Sequence, residues 1–225
     1  NCWIMQNIYI FGSDGQDGRI LKDKIFKDKS ESNLFLFSKN EITYIKNCKV
    51  FQKKIINNNT EYISLLEKLL GDFIPDIVYY FAAVHISSTE DENNINKDDM
   101  FFTNLGLVFY LISKCQQMSK DIKFLFTSSS LIFSNSYKSP QNEKTTRSPH
   151  CHYSRQKVII ENLLSNFSLN SNLKCYVPIM YNHESIYRKN RFFTKKIISF
   201  CSDLAKKKIQ DKSSTITLFN PESVI

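Results

Sequence analysis

Three residue types in one arrangement point to proton-transfer chemistry. Hydroxyl side chains close the apolar run 124–130, and Tyr153 and Lys157 follow at a spacing of four. Residues at i and i+4 share one face of a helix, so the ammonium of Lys157 can lie near the phenol of Tyr153. A nearby positive charge favours the phenolate and lowers the pKa of a tyrosine from its usual value of about 10. We therefore predict that Tyr153 is a general base assisted by Lys157, and that Ser129 holds the substrate oxygen.

A glycine-rich stretch near the start of the chain has the spacing of a phosphate-binding turn. Residues 12–18 read GSDGQDG and follow the apolar run 8–11. Three of the five glycines in the chain fall within this stretch. Glycines permit a tight turn and let backbone N–H groups approach a pyrophosphate at the N-terminus of a helix. The predicted cofactor contacts here are Gly12, Gly15, Gln16, Asp17 and Gly18.

The end of the second apolar run bears on the choice of cofactor. A carboxylate at this point would bind the ribose 2′-hydroxyl of NAD. The run 34–37 is instead followed by Ser38 and Lys39, and the first acidic residue is Glu41. Because Ser38 and Lys39 can meet a 2′-phosphate, we predict NADP as the cofactor, with NAD as the alternative.

Apolar runs of strand length alternate with longer helical patterns along the chain. Continuously apolar strands that alternate with helices indicate a parallel sheet covered on both faces. We therefore predict a doubly wound, Rossmann-type α/β fold, and a loop over the polar, proline-containing stretch 134–149. The predicted strands are 8–11, 34–37, 49–56, 77–82, 122–127, 174–179 and 215–219, and the predicted helices are 18–26, 61–70, 104–115, 153–167 and 192–208.

Composition excludes several classes of protein. The six cysteines form no CxxC pair, which favours reduced thiols in a cytoplasmic protein over a disulfide framework or a zinc site. The two histidines around Cys151 lack a suitably spaced further ligand, so we predict no metal. The net charge is +8, but basic residues are interspersed with acids. This pattern favours solvated helix faces over nucleic-acid binding, and no apolar run is long enough to predict a membrane span.

Several segments resemble the extended short-chain dehydrogenase/reductase superfamily (NAD-dependent epimerases and dehydratases), and within it the GDP-mannose 4,6-dehydratase family. Residues 12–18 resemble the GxTGQDG loop of that family, residues 81–83 its LAA segment and residues 194–197 its TRKI segment. Residues 182–185 read NHES, as they do in the family, and Asn104 matches a superfamily asparagine. The resemblance implies a GDP-linked nucleotide-sugar substrate and a homo-oligomer. It also implies cofactor contacts by Ala82, Ala83, Tyr153, Lys157, His183 and Arg188, and substrate contacts by Ser129 and Asn182.

Two departures from the family bear on activity. The catalytic Thr-Ser-Glu of the family reads Ser129-Ser130-Leu131 here. The family's glutamate serves as acid/base in the loss of water that follows oxidation at C4, and leucine cannot transfer a proton. We therefore expect oxidation at C4 to persist and elimination to be weakened. The chain also stops where the family continues into its nucleotide-sugar lobe, so we assign 1–225 to one NAD(P)-binding domain, with about 176–225 leading into a truncated lobe.

Three functions remain open on the sequence. The leading hypothesis is a nucleotide-sugar 4,6-dehydratase-like lyase of the GDP-mannose type. A nucleotide-sugar epimerase or 4-ketoreductase needs Ser129, Tyr153 and Lys157 but not the missing glutamate. A non-catalytic NADP(H)-binding module is the hypothesis from a different class, and Leu131 and the missing lobe favour it.

Overall fold

The computed structural model describes residues 5–28, 31–46, 49–85, 96–118, 120–133, 140–170, 172–190 and 192–206. The strands are β1 (Gln6–Phe11), β2 (Ser32–Phe37), β3 (Glu41–Lys46), β4 (Lys49–Ile55), β5 (Ile77–Tyr80), β6 (Ile122–Phe126), β7 (Ser128–Ser129), β8 (Leu173–Tyr176) and β9 (Ile179–Met180). The helices are α1 (Gln16–Lys27), α2 (Asn59–Asp72), α3 (Lys97–Phe101), α4 (Leu107–Gln116), α5 (His152–Asn170) and α6 (Phe193–Ala205). A π-helical turn (Phe102–Gly106) joins α3 to α4, and a 3₁₀ helix (Ser130–Phe133) follows β7.

The main sheet has seven strands in the order β4-β3-β2-β1-β5-β6-β8. The strands β2, β1, β5, β6 and β8 run parallel, which confirms the predicted Rossmann-type α/β class. The short strands β7 and β9 form a second, parallel pair. Because the carboxyl ends of parallel strands meet at one edge of a sheet, the residues that follow β2, β1, β5 and β6 are brought to the same edge.

The β3–β4 end of the sheet differs from the prediction. Strand β3 was not predicted, and the strand predicted at 49–56 is β4, which runs antiparallel to β3. Every residue of β4 is exposed, so it is an edge strand and not one of the buried parallel strands. The apolar residues of this stretch suggested a buried strand. The lysines and Gln52 interspersed among them also suit a solvated edge, which is what the structure has.

The sheet is covered differently on its two faces. The larger core cluster is rich in aromatic rings, among them Tyr9, Phe11, Phe37 and Tyr80. The Phe11 and Phe37 rings stack with centroids 4.2 Å apart. The other cluster is small and mainly aliphatic, and residues of α1 such as Leu21 pack against it. Together the two clusters bury both faces of the strands that end at the predicted site.

The predicted helix and strand boundaries need local corrections. The helix expected at 104–115 begins already at Lys97, where the Asn96 side chain accepts hydrogen bonds from two backbone N–H groups. The strand expected at 174–179 is divided into β8 and β9, since Pro178 cannot donate to a sheet. The strand predicted at 215–219 lies outside the described residues, as do parts of the predicted loop 134–149 and of the predicted helix 192–208.

The described residues divide into two compact units. The first contains the residues up to His85 and from Asn96 to Asn182, and the second contains those from His183 onward. Among the described residues, no helix combines the length and the apolar character that a bilayer span requires. The assignment of residues from about 176 onward to a truncated lobe remains a prediction.

Candidate active site

The glycine turn (residues 12–18) connects β1 to α1 and is built from backbone in close contact. Gly12 has φ +78°, in the left-handed region, and a Cβ there would lie 2.7 Å from the backbone nitrogen of Ala82. A Cβ on Gly18 would lie 2.4 Å from the carbonyl oxygen of Gly12. The helix begins at Gln16, so the N-terminus of α1 follows directly on the turn. This geometry fits a dinucleotide pyrophosphate, because only glycine permits both the turn and the close packing of helix against strand.

The segment after β5 lies against this turn. The backbone N–H of Phe81 donates to the carbonyl of Phe11 at 2.9 Å, which extends the β1–β5 pairing by one residue. Ala82 is half-buried and its backbone touches Gly12, whereas Ala83 is exposed. The structure therefore brings Ala82 and Ala83 to the same sheet edge as the predicted cofactor contacts Gly15, Gln16 and Asp17.

Lys39 has an acidic partner that the sequence did not reveal. It follows β2, as predicted, but its Nζ lies 2.8 Å from Oδ2 of Asp99 on α3. The Lys39 side chain is 75% exposed, so the ion pair is well solvated. A carboxylate is thus present beside the position at which a 2′-phosphate was predicted to bind.

The three predicted catalytic residues come together after β6. Ser129 lies in β7 and Tyr153 on the first turn of α5, and their side chains share a hydrogen bond. Lys157 is buried, 3% exposed, and its Nζ donates to the carbonyl of Thr127 at 2.7 Å. The same Nζ lies 5.5 Å from the centroid of the Tyr153 ring and 4.3 Å from that of Phe126.

Burial dominates the protonation properties of this set in the protein alone. Burial raises the pKa of Tyr153 to about 12, against an opposing contribution from its hydrogen bond with Ser129. Burial also lowers the pKa of Lys157 to about 7, although Glu161 acts in the other direction. In the protein alone the pKa of Tyr153 is therefore raised, and its lowering by Lys157 together with the positive charge of a bound cofactor stays a prediction. The reason is geometric: the ammonium is directed at the Thr127 carbonyl, and both side chains lose solvation.

A second polar layer, missed by the sequence analysis, lies beside this set. Glu161 is buried, 8% exposed, and its carboxylate accepts a hydrogen bond from the Ser128 hydroxyl. The other carboxylate oxygen accepts from Nε of Arg147 at 3.2 Å. Glu161 follows Lys157 by one helical turn, so extending the Tyr153–Lys157 spacing by four more residues would have identified it.

Asn104 joins the segment after β5 to α5. It is buried in the π-helical turn, accepts from the backbone N–H of Val84 at 2.8 Å and donates to the Val84 carbonyl at 2.9 Å. Its Nδ2 also donates to Oε1 of Gln156 at 2.8 Å. Asn104 therefore fixes two segments of the site relative to each other, and single π turns are frequent at functional sites.

His85 is a further side chain beside Tyr153. The two rings meet edge to face, with centroids 4.5 Å apart and planes inclined at 70°. His85 was not among the predicted site residues, because a lone histidine carries no spacing signal. Leu131, at the position of the family glutamate, is half-buried, and its backbone N–H donates to the Ser129 hydroxyl at 3.3 Å.

The remaining predicted residues lie near or beyond the boundary between the units. Asn182 is exposed at the end of the first unit. His183 and Arg188 belong to the second unit, in which the Arg188 guanidinium stacks 3.7 Å from the centroid of the Phe192 ring and Nε lies 3.7 Å from Glu184. Cofactor and substrate contacts by these three residues stay predictions. No metal-binding cluster of histidine, cysteine, aspartate or glutamate occurs within the part of the chain that the structure describes.

Comparison with known proteins gives one consistent family. A family model described as GDP-mannose 4,6 dehydratase matches residues 9–219. GDP-mannose 4,6 dehydratase of Drosophila melanogaster is 25% identical over 211 residues, which cover 89% of this chain and 53% of the fly protein. The chain thus spans about half the length of this curated relative.

Solved structures share the fold at lower sequence identity. dTDP-glucose 4,6-dehydratase from Bacillus anthracis, in complex with NAD, has a TM-score of 0.65 at 14% identity and covers 88% of this chain and 62% of its own. RMD from Pseudomonas aeruginosa, complexed with NADPH, has a TM-score of 0.65 at 17% identity, and the match covers 91% of this chain and 63% of RMD. UDP-glucose 4-epimerase from Brucella ovis, in complex with NAD, has a TM-score of 0.60 at 18% identity, and the match covers 79% of this chain and 52% of the epimerase.

Proposed function

Because the chain belongs to the GDP-mannose 4,6 dehydratase family, we propose that it binds NADP(H) and oxidises a nucleotide sugar at C4. The observation that carries this proposal is the arrangement of Ser129, Tyr153 and Lys157 at the sheet edge that also holds the glycine turn. A phosphate-binding turn and an acid/base set on one sheet edge are what hydride transfer requires.

Each side chain has a defined part in this reaction. The Ser129 hydroxyl holds the C4 oxygen, and Tyr153 removes the proton of the C4 hydroxyl as the carbon gives up a hydride. When bound, oxidised NADP would supply the hydride acceptor and a positive charge that favours the phenolate. Lys157 would supply the second positive charge and would hold the cofactor ribose. The high pKa that burial gives Tyr153 means that the base forms only when these charges act together.

The cofactor proposal rests on the chain's own residues. The glycine turn presents the N-terminus of α1 to the pyrophosphate, and Ala82 lies against it. Lys39 favours a 2′-phosphate, and its ion pair with Asp99 opposes one. We propose NADP as the preferred cofactor, and the structures similar in fold were solved with NAD in some cases and NADPH in another.

The substrate proposal is a GDP-linked sugar, in line with the name of the family model and of the fly relative. Leu131 has no proton to transfer, so the loss of water across C5 and C6 lacks the family's acid/base residue. This single position favours a second candidate, a nucleotide-sugar epimerase or 4-ketoreductase. Both functions share the first step, and the product distinguishes them.

The proposal is tested by mixing the protein with NADP⁺ and GDP-mannose and analysing the products by mass spectrometry. We expect cofactor reduction with little loss of water, because a C4 ketone forms and elimination is slow. Leu131→Glu should increase the dehydrated product about tenfold or more, since positioned acid/base groups contribute about 10²–10⁴-fold; Leu131→Gln, which cannot take a proton, is the matched control. Efficient dehydration by the unmodified protein would show that another side chain supplies the base.

We also propose that the protein assembles as a homo-oligomer. Phe109 on α4 and Ile159 on α5 are 53% and 54% exposed, and exposed apolar side chains on surface helices mark a subunit interface where they form a contiguous patch. Light scattering of the purified protein tests this, and a monomer at micromolar concentration would contradict it.

A further inference from the structure

The segment Thr127, Ser128 and Ser129, here called the serine segment, is attached to one row of side chains on α5. Ser129 is hydrogen-bonded to Tyr153, the Thr127 carbonyl accepts from Lys157, and the Ser128 hydroxyl donates to Glu161. The three partners on α5 are spaced by four residues, so they lie along one face of the helix. Two of them belong to the proposed catalytic set, and Glu161 has no assigned role.

Without Glu161, this row on α5 would contain the buried Lys157 ammonium and no carboxylate. Lys157 is almost completely buried, and its described neighbours besides the Thr127 carbonyl are the rings of Phe126 and Tyr153. A buried ammonium with one neutral acceptor is costly, because burial removes the water that solvated it. Glu161 is the acidic group that acts on Lys157 in the opposite direction to burial.

Glu161 is also held in place from the other side. Arg147 precedes α5, and its Nε bonds to the second carboxylate oxygen of Glu161 while its Nη1 donates to the Thr145 carbonyl at 2.8 Å. The carboxylate is therefore fixed between a hydroxyl of the serine segment and a guanidinium. These two bonds oppose movement of the carboxylate when Lys157 changes its protonation state.

We propose that Glu161 is a positioning residue of the catalytic set: its carboxylate is the buried counter-charge of the Lys157 ammonium and anchors the serine segment through Ser128. The catalytic meaning rests on the proposed function, but the charge relationship is a property of the protein alone. Within the part of the chain that the structure describes, Lys157 contacts the Tyr153 ring on α5, the Phe126 ring at the end of β6 and the Thr127 carbonyl just after it. Glu161 lies one helical turn further along α5, and Arg147 acts through it.

The test is an NMR titration of Lys157 in the cofactor-free protein. Protein containing [ε-¹³C]lysine is titrated from pH 5 to pH 10, and Lys157→Arg identifies the resonance. We expect a midpoint near pH 7 in the unmodified protein and a downward shift of about one pH unit in Glu161→Gln, which keeps the side-chain shape but removes the charge. Ser128→Ala, which removes the hydrogen bond but keeps the charge, should move the midpoint less than half as far.

A midpoint that is unchanged in Glu161→Gln would overturn the proposal, because a purely structural glutamate has no effect on the titration of Lys157. If Glu161→Gln does not fold, Arg147→Gln decides: it frees the Glu161 charge, so the midpoint must rise, and an unchanged midpoint overturns the proposal. NADPH binding is measured separately by calorimetry. Failure to bind NADPH would contradict the proposed function and would leave the titration result as it stands.

Discussion

The glycine turn and the serine segment lie at the same edge of the sheet and are built from opposite materials. In the glycine turn, backbone packs directly on backbone, and a single added Cβ would overlap its neighbours. In the serine segment, buried charges and hydroxyls of Ser128, Lys157 and Glu161 hold the chain through side-chain bonds. The first region is therefore sensitive to added side-chain volume, and the second to changes in side-chain charge.

The largest effect that we expect is on the stability of the first region. Gly12→Ala forces a Cβ into the left-handed region and against the backbone of Ala82 at 2.7 Å, where no flexible atom can move aside. We expect a loss of about 3 kcal/mol or more in the free energy of unfolding. Gly71→Ala is the matched control, since a Cβ there meets nothing within 4 Å on helix α2; it should stabilise by about 0.5–1 kcal/mol. Urea denaturation measures both, and equal effects would refute the distinction.

The second region should respond to charge, with a definite dependence on pH. Lys157 has a pKa of about 7 when folded, below its ordinary value of 10.5, because of burial. Between these two pH values, Lys157 is protonated in the unfolded chain and largely neutral in the folded protein. This group therefore makes the free energy of unfolding rise with pH, and the cost of burying its charge is fully present below pH 7. We expect Lys157→Met to change the free energy of unfolding more favourably at pH 6 than at pH 9.5, by about 1 kcal/mol or more, because the burial cost that it removes is larger at the lower pH.

Exposed Lys123 on β6 provides the control for this experiment. Lys123→Met should change the free energy of unfolding by a similar small amount at both pH values. A gain from Lys157→Met that is the same at pH 6 and pH 9.5 would show that burial does not perturb Lys157.

The sequence predicted the first region better than the second, for a physical reason. Glycine spacing reports directly on backbone conformation, so residues 12–18 could be assigned to a turn before α1. Lys157 donates to Thr127, between β6 and β7, and Glu161 bonds Arg147 from the segment before α5. Contacts between such separate segments leave no local pattern. The antiparallel β3–β4 pair was missed for the same reason, since β4 is defined by its neighbour and not by burial.

Cofactor preference offers the smallest effect, and it concerns the edge of the first region. The carboxylate of Asp99 bonds Lys39 and would repel a 2′-phosphate. We expect Asp99→Asn to strengthen binding of NADPH relative to NADH about fivefold, the equivalent of about 1 kcal/mol for an exposed pair. Lys39→Glu should shift the preference toward NADH, and Asp98→Asn, on the exposed neighbouring position, should leave the ratio unchanged. Calorimetric titration with both cofactors gives the ratio of the two affinities. An unchanged ratio in Asp99→Asn would show that the Lys39–Asp99 ion pair does not affect cofactor preference.

In the proposed reaction, Tyr153 is the acid/base residue of a set that includes Ser129 and Lys157. The most direct measurement is single-turnover cofactor absorbance with NADP⁺ and GDP-mannose, comparing the unmodified protein with Tyr153→Phe. This substitution removes only the phenolic hydroxyl and keeps the ring, and the glycine turn is built from other residues. We predict that Tyr153→Phe slows hydride transfer at least about 100-fold and leaves the Kd for NADPH within about twofold. Hydride transfer by Tyr153→Phe at the unmodified rate would contradict the account, and NADPH binding without hydride transfer in the unmodified protein would identify a binding module instead.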